Sequence, residues 1–150
     1  MDKIAFFIPC LFRRSGNFIF ECVEGIHNNY PDSDIVIIDS CSKEQHQDYI
    51  KELKKKYGDK ITSILNNSGY EWGAYVKARA KFKNKYDIIF CIQDSLIIKS
   101  KISLKDLDDE TVLTFEDFPN DFSGDSVDNF CDYQAIEGYA GLGGPTMCVW

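Results

Sequence analysis

The sequence predicts an α/β fold in which a mainly parallel sheet lies between two layers of helices. Short apolar runs rich in β-branched residues occur at 4–8, 34–39, 61–65 and 86–92, with the length and composition of strands. Between successive runs lie segments with apolar residues at helical spacing. Each connection is long enough for a crossover between parallel strands, so the order of elements favours a three-layer sandwich.

The first strand and helix are predicted from the first thirty residues. The run Ile4-Ala-Phe-Phe-Ile8 is apolar throughout, as in a strand covered on both faces, and we expect Pro9 to end it. After a polar turn, a helix is expected that ends before Pro31. Its apolar stripe consists of Phe18, Ile19, Cys22, Val23 and Ile26.

The second strand, 34–39, precedes a helix that we expect Ser42 to cap, with Gln45 completing a capping box. This helix is predicted to stop at Gly58 and to expose its lysines. Its inward-facing residues are predicted to be Tyr49, Ile50, Leu53 and Tyr57.

A third strand is predicted at 61–65, a third helix from about Glu71 to Phe82, and a fourth strand at 86–92. The third helix is expected to bury Ala74, Tyr75, Ala78 and Phe82. Beyond Leu104 the regularity fades, although a strand is predicted at 111–115 before a polar, glycine-containing loop and the apolar residues 146–150. We expect one domain over residues 1–150.

Composition excludes several classes of function. The net charge of −7 argues against non-specific binding to the phosphate backbone of a nucleic acid. No apolar segment reaches the roughly 20 residues that are needed to span a membrane. Six cysteines without a C-x-x-C pair are expected to be free, mostly buried thiols in a cytoplasmic protein. His27 and His46 are isolated from each other, which argues against a zinc site.

Polar residues follow the predicted strands, at the edge where open α/β sheets bind ligands. Asp94 comes after an apolar run, where a carboxylate is costly unless it accepts hydrogen bonds or binds a cation, such as one bridging to a diphosphate. Asp39 ends the second run and either faces a ligand or caps the following turn. Gly69 and Gly73 could let the backbone approach an anion, and Trp72 between them either stacks on a ligand or packs internally.

These segments together resemble the nucleotide-binding half of the GT-A glycosyltransferase fold, in particular the inverting family 2 and its neighbours. The resemblance covers roughly residues 3–100. The matching segments are the strand ending at Pro9, Asp34-Ile-Val-Ile-Ile-Asp39-Ser40-Cys41-Ser42, Asn67-Ser68-Gly69 with the helix containing Ala78-Arg79, and Tyr86-Asp-Ile-Ile-Phe-Cys-Ile-Gln93-Asp94-Ser95.

The resemblance implies a protein that binds a nucleoside-diphosphate sugar and transfers the sugar to an unknown acceptor. It implies a donor site formed by Pro9, Asp39, Asn67, Gly69, Trp72, Gly73 and Asp94. It also implies a divalent cation, Mn²⁺ or Mg²⁺, held by Asp94. On this interpretation residues 1–100 are the nucleotide-binding core and residues 101–150 are a partial acceptor-side region.

Two departures from the family pattern concern catalysis. The tripeptide Gln93-Asp94-Ser95 has one carboxylate where the family's metal motif has two. The family's catalytic base lies in a later segment, which the sequence only approaches, so no base is assigned by motif. Glu116, Asp117 and Glu137 are candidates by chemistry alone.

Two alternatives stay open at this stage. The first is a non-catalytic module that keeps the fold and binds a nucleotide sugar or a carbohydrate. The second is another parallel α/β nucleotide binder, which the lack of a G-x-G-x-x-G after the first strand and of a Walker lysine motif disfavours.

Overall fold

A computed structural model describes residues 2–12, 18–40, 42–43, 47–67, 70–82, 84–102, 112–114 and 146–149. Its helices are α1 (Ile19–Asn29), α2 (Asp48–Tyr57) and α3 (Tyr70–Phe82). Its strands are β1 (Ile4–Cys10), β2 (Asp34–Asp39), β3 (Ile61–Ile64), β4 (Ile88–Ile92), β5 (Val112–Thr114) and β6 (Thr146–Val149).

The described strands form one sheet in the order β3-β2-β1-β4-β6-β5. The strands β1 to β4 pair in parallel, as the sequence predicted, whereas β6 pairs antiparallel with both β4 and β5. The chain moves outward from β1 to β2 and β3 and then crosses to the other side of β1 to form β4. The strand order therefore reverses between β1 and β4, and in open α/β sheets ligands bind at such a switch point.

Successive residues of each strand face opposite sides of the sheet, so the apolar runs fill two cores. On one side, Phe6 and Ile37 belong to the core that includes the buried residues of α1 and α2. On the other, Phe7 and Val36 pack with α3. This arrangement confirms the three-layer α/β sandwich.

Pro9 lies inside β1, opposite Ile38, so the expectation that it ends the strand is wrong. The carbonyl of Cys10 accepts a hydrogen bond from the amide of Ser40, at 2.8 Å, and so faces β2. The backbone of Pro9 therefore faces β4, where the pairing with β1 ends at Phe7 and Cys91. Because no ladder bond is lost there, the missing N–H of proline is tolerated.

The prediction that Ser42 caps the second helix is also wrong. The N-cap of α2 is Gln47, which makes no side-chain cap hydrogen bond. Oγ of Ser42 instead accepts from the backbone amide of Phe12 at 2.9 Å. Gln45, the other half of the expected capping box, lies outside the described residues.

The predicted inward faces of the helices are confirmed except at Phe18. Phe18 precedes α1 and is 49% exposed, because the helix begins one residue later than the apolar stripe suggested. Cys10, Cys22 and Cys91 are buried, and Cys10 and Cys22 are free thiols, as expected. In the part of the chain that the structure describes, no helix has the length and apolar character needed to cross a bilayer.

Candidate functional site

Cys10 and Asp94 lie at the carboxyl ends of two neighbouring strands, on either side of the switch point. Cys10 is the last residue of β1, and Asp94 follows the end of β4 by two residues. The two side chains are near enough for the charge of Asp94 to act on the Cys10 thiol. The structure therefore places Asp94, the central predicted site residue, at the carboxyl end of the innermost pair of strands.

The protonation of this pair follows from its surroundings. Burial raises the pKa of the Cys10 thiol, and the negative charge of Asp94 raises it further, so Cys10 is a neutral donor at physiological pH. Burial also raises the pKa of Asp94. The half-buried carboxylate is thus costly to hold in its charged form, which is typical of a functional group.

Asp39, at the end of β2, is 0% exposed and its carboxylate is bound from within the protein. Oδ1 accepts from the amide of Ser42 and Oδ2 accepts from the hydroxyl of Tyr49, each at 2.9 Å. This is the turn-closing role that the sequence left open for Asp39. A contact between Asp39 and a ligand stays a prediction, and it requires the carboxylate to become accessible.

The end of β3 is tied to the end of β2 by Asn67, a residue only 3% exposed. Its backbone amide donates to the carbonyl of Asp39 at 2.9 Å, and its Nδ2 donates to Oγ of Ser40 at 3.2 Å. The preceding Asn66 has a φ of 58°, a left-handed conformation that asparagine adopts more readily than most residues. Asn67 therefore holds Ser40 at the same edge of the sheet as Cys10 and Asp94.

Three other residues of the predicted donor site lie in described strands and helices. Pro9 is buried within β1, and Trp72 and Gly73 lie in α3. A Cβ at Gly73 would lie 3.9 Å from Oδ1 of Asn67, an ordinary contact, so the packing around α3 does not itself demand glycine here. Gly69 and the candidate bases Glu116, Asp117 and Glu137 lie outside the described residues.

One residue of the site was not identified as such from the sequence. Tyr49 was predicted only as an inward-facing helix residue, yet its hydroxyl binds Asp39, and the ring of Phe12 stacks on its own ring at 4.5 Å. The available signal was chemical, because a buried tyrosine hydroxyl needs a hydrogen-bond partner.

The ligands available to a metal ion are few. Among the described residues, no group of three or more His, Cys, Asp or Glu side chains is placed to hold a metal. A thiol such as Cys10 is a soft ligand that does not suit a hard cation, which leaves Asp94. One carboxylate fits a hard cation such as Mg²⁺ or Mn²⁺ only if the remaining ligands are water and the phosphate oxygens of a bound substrate.

The described fold is shared with glycosyltransferases of known structure. A mannosyltransferase from Pyrobaculum calidifontis, solved in complex with GDP-Man and Mn²⁺, superposes with a TM-score of 0.51 and 13% identity over 64% of this chain. The chain has a GT-A-like glycosyltransferase fold. The S. aureus TarS fragment 1–349 in complex with UDP gives a TM-score of 0.48 and 16% identity over 65% of this chain.

The glycosyltransferase fold is matched here only in part. The chain spans 28% of the mannosyltransferase and 29% of the TarS fragment. No protein-family model matches the sequence. No curated protein matches it either. The similarity is therefore limited to the arrangement of strands and helices. The roles of the site residues have to be inferred from their own chemistry.

Proposed function

We propose that this protein binds a nucleoside-diphosphate sugar at the carboxyl ends of β1, β2 and β4 and transfers the sugar to an acceptor, as a family 2-like glycosyltransferase. The observation that carries the proposal is the position of Asp94, a costly half-buried carboxylate at the switch point of a glycosyltransferase fold. The mannosyltransferase with this fold was solved with GDP-Man and Mn²⁺, a ligand and a cation of the proposed kinds.

Asp94 is proposed to act on the diphosphate side of the donor. With one carboxylate available, it would hold Mn²⁺ or Mg²⁺ together with diphosphate oxygens and water. The cation would neutralise the negative charge that develops on the diphosphate as it leaves. The net charge of −7 is compatible with an anionic donor only if the anion is bound locally in this way.

The nucleoside is proposed to lie over the ends of β2 and β3. Ser40, held by Asn67, offers a hydroxyl that can both donate and accept. Asp39 supports the turn beneath it, and Gly69, Trp72 and Gly73 are proposed to approach the ligand from the start of α3. Pro9 is proposed to shape the end of β1 beside the donor.

Transfer requires a base that takes the proton of the acceptor hydroxyl. Glu116, Asp117 and Glu137 remain candidates by chemistry. Separate substitutions Glu116→Gln, Asp117→Asn and Glu137→Gln are expected to leave donor binding intact, and the one that removes the base should abolish transfer. If none lowers transfer, the base is another residue.

The cytoplasm is the proposed location. Cys10 and Cys22 are free, buried thiols, and such thiols persist in a reducing compartment.

A thermal-shift screen of UDP, GDP and their sugars, with and without Mn²⁺, tests donor binding. A ligand at about 100 times its Kd stabilises the folded state by about 2.7 kcal/mol, which raises the Tm by roughly 5–10 °C in a chain of this size. We expect that rise with one nucleotide class. No shift with any nucleotide would contradict the proposal.

A non-catalytic donor-binding module is the second candidate. One observation favours it: among the described residues, no group of three or more His, Cys, Asp or Glu side chains is placed to hold a metal ion. The two candidates differ in turnover. Release of nucleoside diphosphate from a nucleotide sugar, lost in Asp94→Asn, would establish an enzyme. Binding without hydrolysis or transfer would establish the module.

A further inference from the structure

Two cysteines stand opposite each other on neighbouring strands of the sheet. The antiparallel register of β4 and β6 pairs Cys91 with Cys148, at the centre of the ladder described between these strands. The two positions are far apart in the sequence, so the pairing of the strands alone brings them together. The proposed donor site uses neither of them.

The backbone spacing at this position suits a disulfide. Residues directly opposite each other in an antiparallel pair have Cα atoms about 4.5 Å or about 5.5 Å apart, depending on their place in the hydrogen-bond pattern. A disulfide joins residues whose Cα atoms are about 4.4–6.8 Å apart. Cys91 and Cys148 can therefore be joined without separating β4 from β6.

The other buried cysteines of the described chain have different surroundings. Cys10 is paired in register with Asp39 of β2. Cys22 lies on α1, where its thiol donates to the carbonyl of Gln93 at 3.8 Å. Burial raises the pKa of both thiols, which slows their reaction with oxidants. Cys22 therefore offers a matched control, a buried cysteine that stands outside the sheet.

We propose that Cys91 and Cys148 form a redox modification site, in which a small-molecule disulfide such as oxidised glutathione converts the two thiols reversibly into a disulfide between β4 and β6. The chemistry of this pair does not need a nucleotide sugar. In a reducing compartment, disulfides are usually transient and serve catalysis or redox sensing, so reversibility is part of the proposal.

Two successive exchange steps balance the reaction. The thiolate of one cysteine attacks the disulfide of oxidised glutathione, forms a mixed disulfide and releases one glutathione. The second cysteine then attacks the protein sulfur of the mixed disulfide and releases the second glutathione. Two electrons pass from the cysteines to oxidised glutathione, and the two thiol protons end on the two released glutathione molecules.

The bond would act on the edge of the sheet where β4 ends. The strand β6 begins at Thr146, one residue before the partner of Ile92, so the chain enters β6 at that edge. A disulfide at Cys148 would hold this entry beside the segment that carries Asp94. Oxidation is thus expected to fix β6 in the sheet, and reduction to release it.

Peptide mapping under non-reducing conditions tests the pairing. The side chain of Cys91 is 1% exposed, so reaction requires local opening of the short ladder, and the wild-type protein is incubated with oxidised glutathione for several hours. Remaining thiols are then alkylated, and proteolytic peptides are analysed by mass spectrometry. We expect a cross-linked pair of peptides containing Cys91 and Cys148, lighter by two hydrogens than the two thiol peptides together.

Three results of the peptide map would overturn the proposal. The first is glutathione adducts, or unreacted thiols, without the cross-link. The second is a cross-link from Cys91 or Cys148 to a different cysteine. The third is a cross-link that excess reduced glutathione does not open, because the proposed bond is reversible. This experiment needs no variant, so its outcome does not depend on whether a substituted protein folds.

Thermal denaturation tests whether the bond forms in the native register. A disulfide between these positions closes a loop of roughly 60 residues, which should raise the Tm of a chain of this size by roughly 5–15 °C. Each protein is compared with its own reduced form. The wild type and Cys22→Ser should show the rise on oxidation, and Cys148→Ser should not. An unchanged or lower Tm in the oxidised wild type, or a rise that persists in Cys148→Ser, would overturn the proposal.

Discussion

The hydroxyl of Tyr49 donates a 2.9 Å hydrogen bond to Oδ2 of Asp39, and both residues are buried. This bond joins the first turn of α2 to the end of β2. Together with the bond from the amide of Ser42 to Oδ1, it keeps a fully buried carboxylate satisfied at the ligand edge of the sheet.

Removal of this hydroxyl should therefore be costly. We expect Tyr49→Phe to lower the free energy of unfolding by about 1.5–3 kcal/mol, because a buried charged acceptor loses a partner. Urea denaturation measures the change. Tyr57→Phe, on the same helix, is the control: the buried hydroxyl of Tyr57 has no hydrogen-bond partner among the described residues, so its removal should be neutral or slightly stabilising. Equal effects of the two substitutions on the free energy of unfolding would contradict a stabilising hydrogen bond from Tyr49 to Asp39.

Two glycines should respond to alanine in opposite directions. A Cβ at Gly25 in α1 would lie 2.8 Å from the carbonyl oxygen of Ile98, so α1 packs directly on the segment after Asp94. We expect Gly25→Ala to destabilise the protein by about 1–3 kcal/mol through overpacking. Gly73→Ala, where space is available within α3, should stabilise it by up to about 1 kcal/mol. Thermal unfolding of both variants checks the pair, and a stable Gly25→Ala would contradict the close packing.

The ionisation of Asp34 should make the stability of the protein depend on pH in the acid range. Burial alone would raise the pKa of Asp34, but hydrogen bonds from Lys85 and Tyr86 outweigh it and hold that pKa below its usual value of 3.8. Because the folded state binds this proton less readily than the unfolded state, the stabilisation is complete above about pH 5. It is lost as the pH falls through the folded pKa.

The change from Asp34 should be less than about 1 kcal/mol, since the carboxylate is partly exposed and screened by solvent. In Asp34→Asn, the difference between the free energies of unfolding at pH 7 and at low pH should shrink. The exposed carboxylate variant Asp59→Asn serves as the control. If Asp34→Asn leaves the pH dependence of the free energy of unfolding unchanged, the ionisation of Asp34 does not contribute to stability and the prediction is wrong.

Asp94 should reduce the stability of the ligand-free protein. Burial raises the pKa of Asp94, so the charged form is disfavoured in the folded state, and stability is lost as the pH rises through the folded pKa. Asp94→Asn keeps the shape and removes the charge. It should raise the Tm at pH 7 by roughly 1–4 °C, which thermal denaturation without ligand measures. A lower Tm would indicate that Asp94 is a structural residue.

Most of the fold could be predicted from the sequence, because the spacing of apolar residues determines which segments form strands and helices. The runs that became β1 to β4 are buried on both faces, and the stripe through Tyr49 and Leu53 correctly oriented α2. Local rules failed where a contact between distant residues intervened. Pro9 continues β1 because the neighbouring ladder has ended, and Ser42 binds Phe12 because Asp39 fixes its turn. The position of β6 between β4 and β5 depends on long-range pairing that no local pattern encodes.

The candidate site was predictable only in part. Asp94 and Asp39 could be located because each ends an apolar run and the carboxyl ends of parallel strands share one edge. Tyr49, the partner of Asp39, could not be located, because a side-chain hydrogen bond across elements depends on helix placement. Trp72 is placed in α3, and its proposed contact with a ligand stays a prediction.

Calorimetric titration of the wild-type protein and Asp94→Asn with GDP and UDP, in the presence of Mn²⁺, tests the central claim most directly. Asp59→Asn, at the opposite end of the sheet, is the matched control. We predict that the wild type and Asp59→Asn bind one nucleotide class with the same affinity and that Asp94→Asn binds it at least about 10-fold more weakly. Equal binding by all three proteins, or no binding by the wild type, would contradict a donor site at the switch point.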